Sequence, residues 1–118
     1  MATTISERDF QSNVIDLAHL LGWVVAHFRP ARTKNGWATP VAADGKGFPD
    51  LILVHAQQGR TLAVELKADR KDAKVTAEQQ AWLRRFAATS VEVDVWRPAD
   101  LDDIGRILSG SPTRGRTE

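Results

Sequence analysis

Three charged residues stand where charge is expensive. Asp50 lies between the Gly47-Phe48-Pro49 turn and four consecutive aliphatics, Leu51 to Val54, so its carboxylate opens what reads as a buried strand. Glu65 and Lys67 close the next apolar run, "TLAVELK". Either piece alone is common as a pair of solvated charges. Together they suggest specific chemistry, because two carboxylates and an ammonium that converge can hold a hard divalent cation and stabilise charge on a phosphoryl group.

Whether they converge depends on the elements that carry them. Residues 50–56 and 60–68 read as two strands joined by a short turn around Gln57-Gln58-Gly59. The first is apolar throughout, as in a strand covered on both faces. The second alternates, with Leu62, Val64 and Leu66 on one face and Thr61, Ala63, Glu65 and Lys67 on the other. A turn centred near Gln58 or Gly59 sets Asp50 opposite residues around Glu65 to Lys67. Directly opposed side chains lie roughly 5 Å apart at Cβ. Like charges so close in an apolar setting repel, and a cation such as Mg²⁺, which favours one or two carboxylates plus waters, relieves that repulsion.

Around this hairpin the pattern is mixed. A helix is predicted over 6–21, with Ser6 and Asp9 as a capping-box-like start and Phe10, Val14, Leu17, Ala18 and Leu21 as one apolar stripe. A strand follows over 23–28. Residues 29–47 show no periodicity and many breakers, an unusually long connection for a small domain. A second helix is predicted over 77–88 behind Thr76, then a strand over 91–96 and a short acidic helix over 99–108. The order α-β-β-β-α-β-α gives an α/β class with a small mixed sheet flanked by helices. Residues 1–108 are expected to form one domain and 109–118 a disordered tail.

The segments "GFPDLILV", "LAVELKA" and "TAEQQAWL" resemble the VRR-NUC family (virus-type replication-repair nucleases) of the PD-(D/E)xK nuclease superfamily. The similarity runs from the first helix to "VDVWRP". It implies a restriction-endonuclease-like core and Mg²⁺- or Mn²⁺-dependent hydrolysis of DNA phosphodiesters. Carried over, it makes Asp50 and Glu65 metal ligands, adds the Leu66 backbone carbonyl as a third, and makes Lys67 the catalytic lysine. Gln79 matches the family glutamine and would join the catalytic set, although Thr76-x-x-Gln79 is itself a capping box. Related nucleases place a glutamate in the first helix, and Gln11 stands at that position here. Gln11 or Glu7, one turn earlier, could reach a cation through water; Glu7 also suits the helix dipole.

Composition limits the partners. The chain has 118 residues, 42% of them hydrophobic and 26% charged, with a net charge of +1 and no cysteine. Bulk charge therefore cannot drive nucleic-acid binding, disulfides and thiolate zinc sites are excluded, and a reducing cytoplasm is expected. Neither a membrane span nor the apolar stretch of a signal peptide is visible. Charge is unevenly placed. Residues 29–47 carry Arg29, Arg32, Lys34 and Lys46 against Asp44, whereas 92–103 carry five acids against Arg97. DNA is expected on the side of the basic loop, with Trp37 available to stack on a base or pack down the loop. His19, His27 and His55 show no ligand spacing, and Trp23, Trp82 and Trp96 read as core.

The sequence thus points to a metal-dependent DNA endonuclease, with branched or junction DNA as a candidate substrate. A non-catalytic nucleic-acid-binding module on a nuclease scaffold is the alternative raised by Gln11. One site attacks one strand per event, so cutting both strands most simply calls for a homodimer.

Overall fold

In the computed structural model the described residues are 5–28, 31–34, 36–38 and 41–118, with the backbone alone described for 31–33, 37 and 38. Arg29 lies outside them, and of Arg32 and Trp37 only the backbone positions are described. The chain runs α1 (Glu7–Leu20), β1 (Val24–His27), β2 (Ala31–Thr33), β3 (Gly36–Ala38), β4 (Leu51–His55), β5 (Arg60–Leu66), α2 (Ala77–Ala87), β6 (Glu92–Trp96), a 3₁₀ turn (Pro98–Asp100) and α3 (Leu101–Leu108).

The main sheet has the order β1-β4-β5-β6. β1 and β5 each pair antiparallel with β4, and β5 pairs parallel with β6. The parallel pair needs a crossover, which α2 provides. On one face, Phe10, Val14 and Ala18 of α1 and Ile104, Ile107 and Leu108 of α3 pack on Leu51, Leu53, Leu62, Val64, Leu66 and Trp96. On the other, Leu83 of α2 meets Ala63, Val93 and Val95. The alternation expected of β5 is present, but both of its faces are covered, because a central strand between two helical layers has no solvent side.

The helices begin as their sequences direct. Ser6 Oγ accepts the Asp9 N–H at 3.1 Å, one half of a capping box. At α2 both halves form: Thr76 Oγ1 accepts from the Gln79 N–H at 3.2 Å, and Gln79 Oε1 accepts from the Thr76 N–H at 2.9 Å.

Two segments outside the main sheet have contacts of their own. Within the long connection expected over 29–47, β2 and β3 form a hairpin with Ala31, Arg32 and Thr33 opposite Ala38, Trp37 and Gly36. Gly36, paired with Thr33 where β3 begins, adopts φ +108, a conformation open to glycine. Residues 109–118 have no regular secondary structure, yet they are tied to the β6 side of the sheet rather than free. Arg114 reaches the fully buried Asp94 (Nε to Oδ2 3.1 Å), Asp100 (Nη1 to Oδ1 2.8 Å) and the Val95 carbonyl (3.0 Å). The Thr113 N–H donates to Glu92 at 3.1 Å. A buried carboxylate needs a cation and donors, and this segment supplies them.

The histidine and tryptophan expectations divide. His55 is structural: its Nδ1 accepts from the Gln58 N–H at 3.1 Å, so its Nε2 carries the proton offered to the Leu21 carbonyl at 3.2 Å. Trp23 and Trp96 are buried. Trp82 is only half-buried, and its indole N–H donates to the carbonyls of Asp44 and Lys46, both at 3.1 Å.

Candidate active site

Hairpin register decides what Asp50 meets. Leu51 pairs with Val64, so continuing the antiparallel register by one residue sets Asp50 opposite Glu65. The turn is centred between Gln57 and Gln58, close to the expected place. Asp50 Oδ2 accepts the Leu66 N–H at 2.9 Å, which fixes the carboxylate against the end of β5. The N–H and C=O of a strand residue point to the same edge, so the Leu66 carbonyl also faces the Asp50 side. Lys67, one residue on, turns its N–H the other way, to the Trp96 carbonyl at 3.0 Å.

Glu65 is 1% exposed. Its Oε1 accepts from Gln79 Nε2 at 3.2 Å and lies 3.9 Å from Lys67 Nζ. Its Oε2 is buried without a donor. Burial, then a hydrogen bond to the Asp50 carboxyl and the charge of Asp50, push the Glu65 pKa from 4.5 up to about 10, and Lys67 pulls it back in part. Two charged carboxylates offer each other only acceptors, so without a proton or a cation between them one oxygen is left orphaned.

Gln79 serves two purposes through its two amide atoms. Oε1 completes the capping box of α2, and Nε2 holds Glu65. The amide cannot be reversed, since a flip would face NH₂ against the Thr76 N–H and oxygen against a carboxylate. Capping α2 and contacting Glu65 are therefore compatible in one side chain.

The Asp50 loop is seated on α2 by aromatic packing. Phe48 lies edge-on to Phe28, Trp82 and Phe86, with ring centroids 5.0, 5.0 and 5.9 Å away. Gly47 has φ +82, and a Cβ there would come within 2.6 Å of the Glu78 backbone and 2.7 Å of the Gln79 nitrogen. Only glycine permits this approach, which holds the Asp50 loop against the helix turn that carries Gln79. Sequence reasoning assigned Gly47 to the turn but missed the contact; the downstream "TAEQQAWL" segment was the available signal.

Other expected residues are not gathered in. Glu7 is exposed in the first turn of α1 and Gln11 is half-buried beside Phe10, and among the described residues no hydrogen bond or ion pair joins either to Asp50 or Glu65. Lys34 and Lys46 are exposed, and Lys46 pairs with Glu78 at 3.4 Å. Among the described residues no group of three or more His, Cys, Asp or Glu side chains is placed to hold a metal. The donors at the hairpin end are instead two carboxylates, one with an orphaned oxygen, and a backbone carbonyl. That hard-oxygen set fits Mg²⁺ or Mn²⁺ and offers nothing to a soft metal.

A mixed four-stranded sheet with helices on both faces is consistent with a PD-(D/E)xK-like nuclease core. The VRR-NUC domain family matches residues 9–100, most of the chain, and this protein belongs to that family. It therefore carries a nuclease domain of a kind that is typically metal-dependent and acts on DNA. Nothing among curated proteins or solved structures matches the chain. Among the described residues no helix is long and apolar enough to cross a membrane.

Proposed function

We propose that the protein is a Mg²⁺- or Mn²⁺-dependent endodeoxyribonuclease that hydrolyses phosphodiester bonds, with branched or junction DNA preferred. The observation that carries this reading is the meeting of Asp50, Glu65 and Lys67 at one end of the β4–β5 hairpin, with Glu65 Oε2 buried and donor-free. Asp50, Glu65 and the Leu66 carbonyl would hold the cation. When bound, it would supply Lewis-acid polarisation of the phosphate and lower the pKa of a coordinated water.

The remaining work falls to the chain. The Leu66 N–H holds Asp50, and Gln79 Nε2 holds Glu65 through Oε1, which leaves Oε2 open. The Lys67 ammonium, on a side chain 16% exposed, would offset negative charge growing on the phosphoryl oxygens. The site attacks one strand per event, so the reading includes a homodimer for cutting both strands. Arg29, Arg32, Lys34, Trp37 and Lys46 would bind the substrate on the basic-loop side.

The test is cleavage of linear, nicked, flapped and four-way-junction DNA with Mg²⁺ or Mn²⁺. Asp50→Ala, Glu65→Ala and Lys67→Ala should each abolish turnover while DNA binding persists. Near-normal turnover in any of the three refutes the catalytic assignment. Binding without cleavage by the unaltered protein would favour the non-catalytic module.

A further inference from the structure

The segment 68–75 joins two parts of the candidate site: it leaves Lys67 at the end of β5 and enters α2 just before Gln79. It carries Arg70, Lys71 and Lys74, all exposed. Such a run is ordinarily a solvated loop, but here its conformation is fixed from within. The Arg97 guanidinium spans it, donating through Nη1 to the Ala68 carbonyl and through Nη2 to the Ala73 carbonyl at 2.8 Å. Two internal turns add to this, Ala73 N–H to Arg70 O and Lys74 N–H to Asp72 O, both 3.1 Å.

The acids of the segment do not cancel its cations. Asp69 Oδ2 is turned away to accept the Ala99 N–H at 3.0 Å. Asp72 pairs with Arg70 at 3.4 Å, with side chains 81% and 63% exposed, an ion pair weak enough for a phosphate to replace. Asp69, Arg70, Lys71, Lys74 and Arg97 line an open concavity of about 540 Å³. An adjoining concavity shares Lys74 and Arg97 and ends at Gln80 and Glu118.

We propose that Arg70, Lys71 and Lys74 form a second phosphate-backbone contact, which grips the DNA strand beside the scissile bond on the rim formed by residues 68–75. Arg97 is the positioning residue: it touches no DNA but holds the loop so that the three cations keep their spacing. This inference rests on DNA being the substrate, and it adds a binding surface distinct from residues 29–46. Holding the loop in advance reduces the ordering cost of binding, which sets this rim apart from lysines on a mobile segment.

The experiment measures binding rather than cleavage, so it stands apart from the test of catalysis. Fluorescence anisotropy with a labelled four-way junction and a labelled linear duplex, in Ca²⁺ buffer, gives Kd across 50–200 mM salt. Neutralising Arg70, Lys71 and Lys74 together to alanine should weaken binding and lower the slope of log K against log salt by about 2–3, near 0.9 per phosphate contact. A control that removes equal charge elsewhere, Arg84→Ala with Arg106→Ala and Arg116→Ala, should change the slope by less than one. An unchanged slope in the first variant, with thermal unfolding as in the parent, overturns the proposal; so does an equal effect in both variants, which would mean net charge alone matters. If the unaltered protein binds DNA but does not cut it, the catalytic reading fails and the rim is still decided by the two slopes.

Discussion

Glu65 makes a quantitative demand on metal binding. With its pKa pushed up to about 10, the carboxyl stays protonated at pH 7, and a cation bound as proposed would have to displace that proton. At every pH below that value the proton competes with the cation, so apparent affinity falls as pH is lowered. The charged groups facing Glu65 are Asp50, which raises the pKa, and Lys67, which lowers it; Gln79 is neutral. Between pH 6 and 8, Mn²⁺ affinity should therefore rise close to tenfold per unit, and calorimetry in buffers of different ionisation enthalpy should register about one proton released per ion. Stability must follow the same group. Its folded pKa lies above the unfolded value, so its contribution is complete below about pH 4.5 and is lost as pH rises toward 10. Metal-free protein should lose stability with rising pH by up to about 1.4 kcal/mol per unit across neutrality, and Glu65→Gln, which keeps a donor toward Asp50, should abolish that slope. Metal binding without proton release, together with parallel pH–stability curves for the parent and Glu65→Gln, would refute the reasoning.

Two further predictions concern the scaffold. Arg114→Ala strands the fully buried Asp94 with only the Val95 and Arg114 backbone N–H donors, so urea unfolding should show a loss of about 3 kcal/mol, the low end for a broken buried pair. That loss should lower Tm by roughly 12 °C for a domain of this size, and a change below 0.5 kcal/mol would mean that residues 109–118 do not hold β6. Gly47→Ala puts a Cβ against the Glu78 and Gln79 backbone at positive φ, so it should cost about 1–3 kcal/mol and, by displacing Gln79, lower nuclease turnover more than Gln80→Ala does. Equal turnover in the two variants would uncouple the Asp50 loop from Gln79.

What the sequence reveals here depends on how local each constraint is. The Asp50–Glu65 pairing is legible because a short turn fixes hairpin register, so counting back from Gln57-Gln58 gives the partner within a residue. The dual use of Gln79 is half-legible: the capping box is local, but its second hydrogen bond requires knowing how α2 crosses β5. The β2–β3 hairpin is obscured, since a segment rich in breakers hides a short pairing. Asp94 was not legible. In "VEVDVW" it reads as the solvent phase of an alternating strand, whereas both faces of β6 are covered and its partner, Arg114, sits 20 residues on in a stretch whose composition suggests disorder. The same contacts change the meaning of the acidic run at 92–103. Glu92 is paired with Arg60 at 2.7 Å and Asp100 with Arg114, so much of that charge is neutralised within the fold instead of forming an acidic face.

The absence of a gathered acid from α1 bears on how many cations the proposed site would use. Each carboxylate has one oxygen committed to the chain: Asp50 Oδ2 to the Leu66 N–H, and Glu65 Oε1 to Gln79 with Lys67 nearby. One free oxygen from each, with the Leu66 carbonyl, would give three protein donors to a hard cation, and water would supply the rest. A second ion would need further carboxylates, and α1 presents Phe10, Val14 and Ala18 to the core while Glu7 stays in solvent. On the proposed reading, the amide of Gln79 and the N–H of Leu66 fix which carboxylate oxygens remain free, and that restriction favours one cation over two.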